Sequence, residues 1–134
     1  MNRVLINKAA IVDRCLNRIK EEYTDFETLQ ANFTKQDAII LNLERACQAC
    51  IDAALHLVKE KKLGIPQNSK EAFHILEKEG IIDNSLSISM QNMVGFRNIA
   101  IQEYQSLKLE ILNSIITSEK DELSKFMGIL VRLN

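Results

Sequence analysis

Ile40, Leu43, Cys47, Cys50, Ile51, Ala54, Leu55 and Val58 recur every few positions through a stretch that holds neither Gly nor Pro. That spacing admits little besides a long amphipathic helix. Thr34 followed by Asp37 resembles a capping start. Lys59, Lys61 and Lys62 sit where cations suit a helix C-terminus, Gly64 stops the helix and Pro66 bars re-entry. The predicted helix is 35–62, about 40 Å long. Its lysine trio reads as a solvated helix end.

The same period returns along the chain. Val4, Leu5, Ile11, Val12, Cys15, Leu16 and Ile19 form a stripe with Arg14, Arg18 and Lys20 to its side, predicting a helix that ends near Glu22. Residues 23–33 read as a connection. Asn68 with Glu71 caps a short helix, 69–79, which bears Phe73 and Leu76 and is closed by Gly80. A fourth long pattern starts near Ser85 with Leu86, Met90, Met93 or Val94, and Ile101, and is interrupted around Tyr104-Gln105-Ser106-Leu107. A last one covers 108–132. With one Pro and four Gly in 134 residues, a turn-rich β-sandwich is improbable. The expected fold is all-α, an antiparallel four-helix bundle with a short accessory helix, in one domain spanning 1–134.

Seventeen Lys and Arg against eighteen Asp and Glu argue against a general nucleic-acid coat or membrane-surface protein, but leave room for a local phosphate site. No apolar run approaches a membrane span, and the start turns polar too soon for a signal peptide. Three cysteines, an odd number, suggest no disulfide framework, so a cytoplasmic setting is expected.

Cys47-Gln48-Ala49-Cys50 has CxxC spacing, yet it lies mid-helix on the apolar stripe with no second ligand pair. Two buried cysteines are the better reading. His56 and His74 lie on different predicted helices without metal-spaced partners, so no metal site is expected. No paired-carboxylate site, P-loop, GxGxxG or GxSxG is visible.

One segment stands apart: Met93-Val94-Gly95-Phe96-Arg97-Asn98-Ile99-Ala100-Ile101-Gln102-Glu103-Tyr104. A Gly and an Arg-Asn pair inside an apolar helix cost propensity and place polar groups against a core. Arg97 and Tyr104 share nearly one face, whereas Gln102 is rotated about 140° from Arg97. On chemistry alone, this is an interhelical Arg network with Gln and Tyr at the surface, or a site.

The segment resembles the signature of the HEPN superfamily, most closely its HepT-type toxin branch: Arg, four residues, His, one residue, Tyr. Arg97 matches the Arg, Asn98 the polar residue that commonly follows it, and Tyr104 the Tyr. The Leu41–Cys50 helix and the Leu63-Gly64-Ile65-Pro66 link extend the resemblance over nearly the whole chain. Position 102 departs from the pattern, with Gln where the family has His.

The resemblance implies a homodimeric, metal-independent endoribonuclease in which a ribose 2′-hydroxyl attacks the adjacent phosphate. The His would move a proton and the Arg would stabilise charge on the phosphorus. Gln102 has no titration near neutral pH, and loss of a general acid–base costs roughly 10²–10⁴-fold, so weak or absent cleavage is expected. The resemblance also implies a partner, a minimal nucleotidyltransferase (MNT) antitoxin, which moves AMP from ATP onto Tyr104; the chain itself needs no cofactor. The rival reading is a non-catalytic helical binding subunit for a nucleotidyltransferase, with Arg97 and Asn98 structural or phosphate-binding.

Overall fold

A computed structural model describes residues 2–102 and 108–133, apart from the side chain of Gln102. Helices α1 (Arg3–Glu22), α2 (Phe26–Ala31), α3 (Phe33–Glu60), α4 (Ser69–Lys78) and α5 (Asn84–Gln102) are followed by α6 (Leu109–Ser114) and α7 (Lys120–Arg132). A π-helical turn, Ile115–Glu119, joins the last two into one rod. No strand occurs among the described residues.

The core explains the order. α3 is the central rod, packed by α1, α4, α5 and α7. α1 runs antiparallel to it: Lys35 on α3 reaches Glu22 (3.6 Å), while Lys8 on α1 reaches Asp52 (3.4 Å). Leu5, Val12, Cys15 and Ile19 face inward from α1, and Ile39, Leu43, Cys50 and Leu57 from α3. Phe73 of α4 and Phe126 of α7 meet edge to face, centroids 5.2 Å apart, at the centre of this core. Such ring pairs add about 0.5–1.5 kcal/mol beyond the area they bury. Ser87 is fully buried, and its hydroxyl donates to the Phe73 carbonyl at 3.5 Å and accepts from Gln91 at 3.0 Å.

The predicted all-α bundle is present, with α1, α3, α5 and the α6–α7 rod as its long members and α4 as an accessory. Three local expectations are corrected. First, 23–33 is not merely a connection. Asp25 accepts from the Thr28 amide at 2.7 Å and starts the single-turn-and-a-half α2, too short to show periodicity. That bond holds the Asp25 carboxyl below its ordinary range.

Second, α3 begins at Phe33, not 35. Its cap is Asn32, whose Oδ1 accepts from the Lys35 amide at 3.0 Å, and not Thr34. Third, α3 ends at Glu60, because Lys62 itself takes the left-handed conformation (φ 55°) and the Leu63 amide turns back onto the Val58 carbonyl at 3.0 Å. This is a Schellman closure with Lys where Gly is usual. At α4 the expectations hold: Asn68 Oδ1 accepts from the Glu71 amide at 2.9 Å, and Gly80 (φ 76°) ends the turn.

On α5 the buried residues are Leu86, Met90, Met93, Val94, Phe96 and Ala100. Ile101, expected on the core stripe, is 53% exposed, and Ile88 and Ile99 also face out. α5 is therefore apolar on more than one side.

Candidate active site

Arg97 lies in the last turns of α5, where that helix crosses the middle of α3. Its guanidinium acts on the Cys47 thiol, a group 2% exposed on α3, and Glu44 one turn earlier acts on the same sulfur with opposite sign. Burial dominates and pushes the Cys47 thiol up to about 12, with Arg97 pulling it down and Glu44 raising it further. Cys50, fully buried, is pushed well up by burial as well. Both cysteines are inert core residues, as expected from their mid-helix placement.

Arg97 itself is only half-buried. Among the described residues no carboxylate comes within 4 Å of it. A half-buried guanidinium with no carboxylate beside it among the described residues can fork onto a phosphate that arrives from solvent.

Asn98 does not join Arg97. One residue along the helix is a turn of about 100°, and this carries Asn98 to the exposed side facing the start of α4. There it lines a cavity of about 370 Å³ with Asn68, Ser69, Lys70 and Val94. Gln102 ends α5, and Tyr104 lies outside the described residues, as does the side chain of Gln102.

Lys70 is a residue that sequence reasoning missed. It borders that cavity and a second one of about 450 Å³, lined also by Gly95, Phe96, Ile99 and Lys108. Two cations and one carboxylate, Glu119, thus flank the outer face of α5, beside the motif. Nothing in the sequence signals this, because Lys70 and Lys108 are distant along the chain. His56 bonds with Glu60 at 3.2 Å and with the Asn2 amide at 3.4 Å, a helix-end contact remote from Arg97. His74 is exposed. No group of three or more His, Cys, Asp or Glu is placed to hold a metal among the described residues. No helix there is long and apolar enough to cross a membrane.

The family model described as "Ribonuclease HepT-like" matches residues 12–129. The chain belongs to the HepT-like ribonuclease family. It is 40% identical over 130 residues to the mRNA nuclease HepT of Shewanella oneidensis, covering 97% of this chain and 98% of that one.

Solved structures of HepT-like proteins superpose closely. One is a tri-AMPylated Shewanella oneidensis HEPN toxin in complex with MNT antitoxin: TM-score 0.94, 39% identity, 99% of this chain and 100% of that one. A toxin–antitoxin structure with AMP-PNP also scores 0.94, at 38% identity and coverage of 98% and 100%. The cytosolic protein YutE of Bacillus subtilis, at 12% identity and TM-score 0.82 over 95% of this chain and 85% of that one, shares the fold. The HEPN-like fold expected from the segment around Arg97 is therefore shown.

Proposed function

We propose that this HepT-like chain is the toxin half of a toxin–antitoxin pair, a dimeric RNA-binding protein whose cleavage step is disarmed by Gln102. The observation that carries the reading is Arg97. It is a half-buried guanidinium with no carboxylate beside it among the described residues, five positions before the end of α5 in a chain of ribonuclease family. In the active chemistry the ribose 2′-oxygen bonds to the adjacent phosphorus and the 5′-oxygen leaves with a proton. Arg97 would neutralise charge gathered on the phosphoryl oxygens. The proton transfers need a titrating group where this chain has an amide.

Regulation falls on Tyr104. Its phenol oxygen would bond to the α-phosphorus of ATP held by an MNT-type partner, with pyrophosphate leaving and the phenol proton passing to the partner. The added phosphodiester would compete with RNA for the Arg97 cation. The exposed Ile88 and Ile99, which share one side of α5, with Ile111 on α6, support a second copy covering this face, since such apolar surface is costly to leave in water. On this reading the protein works in the cytoplasm and needs no metal or cofactor of its own.

Two measurements test this. Gln102→His should give RNA cleavage and growth arrest where the parent chain gives neither. An inert revertant with Arg97 and Tyr104 intact would favour the non-catalytic binding subunit instead. Incubation with the neighbouring nucleotidyltransferase and ATP should add the mass of AMP to this chain, and Tyr104→Phe should abolish the gain.

A further inference from the structure

The long groove between α1 and α3 lies on the side of α3 turned away from α5, and its charge is at odds with the chain as a whole. The protein carries a net charge of −1, yet Lys8, Arg14, Arg18 and Arg45 line this groove of about 610 Å³ against one carboxylate, Asp52. Asp52 is already committed: its Oδ2 takes Lys8 at 3.4 Å and its Oδ1 accepts from Gln48 Nε2 at 2.7 Å. Arg18 has only an exposed contact to Glu21 at 3.8 Å, the kind worth little in water. Arg14 and Arg45 have no carboxylate within 4 Å among the described residues. Both nevertheless act on the thiol of Cys15, which is 3% exposed, so guanidiniums from two helices converge on one spot of the groove.

Both guanidiniums are exposed, so water screens their mutual repulsion and an anion arriving from solvent can reach the two together. Lys8 to Arg18 spans about 15 Å of α1, room for more than one phosphate. We propose that this groove is a phosphodiester track, holding the flanking backbone of a single RNA strand whose scissile part reaches Arg97. The inference rests on the RNA-binding reading above. Arg45 and Cys47 are two positions apart on α3, about 200° around the rod, so the track and Arg97 lie on opposite sides of it and the strand would pass over α3, a crossing of about one helix diameter. Guanidiniums suit this task because they fork onto phosphate oxygens and stay charged at every physiological pH.

The chain as it stands is suited to the test, since Gln102 should leave bound RNA intact. Fluorescence anisotropy with a labelled single-stranded RNA is compared across the parent chain, Arg14→Gln/Arg45→Gln, Arg97→Gln, and the control Lys59→Gln/Lys125→Gln. The groove variant should bind about tenfold or more weakly, with a salt slope lower by about 1.4, because each lost single-strand phosphate contact removes about 0.7. The control should bind as the parent does.

Unchanged binding by the groove variant, with Arg97→Gln weakened, would overturn the track and leave the RNA-binding reading standing. A parent chain that binds no RNA would overturn both. Equal loss in the control would reduce the effect to overall charge and overturn the track. So would a groove variant that keeps RNA but loses the nucleotidyltransferase, which would make the groove a protein surface. A second measurement needs no substitution: 4-thiouridine RNA crosslinked to the unaltered chain should label peptides within 8–18 and 38–52. Labelling confined to α5 would count against the track.

Discussion

Arg97 of α5 presses its charge onto the buried thiol of Cys47 in α3, and Glu44 opposes it across the same sulfur. The Arg97 charge is felt by a neutral, inert thiol, and among the described residues no carboxylate lies within 4 Å of that guanidinium. The guanidinium stays available to an incoming anion while its helix is fixed against the core.

On a Gln102→His background, Arg97→Lys should cut RNA cleavage by roughly 10²-fold. A point charge replaces a planar fork, and loss of one such stabilising donor typically costs 10²–10³. The melting curve should stay close to that of the background protein. Full retained activity would remove Arg97 from the chemistry.

Gly95 offers a cleaner stability test. A Cβ built there would meet only Lys70 Nζ, at 3.8 Å, an ordinary contact. Gly95→Ala should therefore stabilise the fold by about 0.5–1 kcal/mol through helix propensity, read as a higher urea midpoint. If RNA affinity falls at the same time, the glycine is there to let a partner or phosphate come close to α5.

Phe126→Ala removes one ring of the pair with Phe73, both fully buried. The expected loss is about 3–5 kcal/mol, a large share of the stability of a domain this size. Chemical denaturation should show a much lower midpoint, and a small change would mean that the core collapses into the gap.

The alkaline limb of stability should be set by buried thiols. Cys47 is raised from 9.0 to about 12 by burial, so its proton is held more tightly folded than unfolded. The contribution is fully present below pH 9 and is lost as the pH climbs toward 12. Melting temperatures measured across that window should fall, and less steeply in Cys47→Ala, which itself costs about 1 kcal/mol at neutral pH.

Long elements were legible because apolar spacing and local caps agreed: α4 shows both its Asn68 start and its Gly80 stop in the sequence. α2 was hidden because six residues are too few for a period, and Lys62 was hidden because its left-handed turn carries no glycine. Arg97 was legible as a charge out of place in an apolar helix. Its separation from Asn98 follows from the 100° step between successive helical residues and was legible too, whereas the cavity that Asn98 lines with Asn68 and Lys70 is a tertiary fact. The convergence of Arg14 with Arg45 is equally invisible along the chain, since each simply looks like a solvated side of its own helix.

The π-helical turn at Ile115–Glu119 stores one surplus residue of winding between α6 and α7. Tightening it with every residue kept would rotate Leu112, and all that precedes it on that rod, by about 100° relative to Leu123. Excising a single residue such as Thr117 would instead absorb the surplus and keep both leucines pointed at the interior. A deletion that is ruinous in a regularly wound rod should thus be tolerated here, which makes this turn a natural point for shortening the protein.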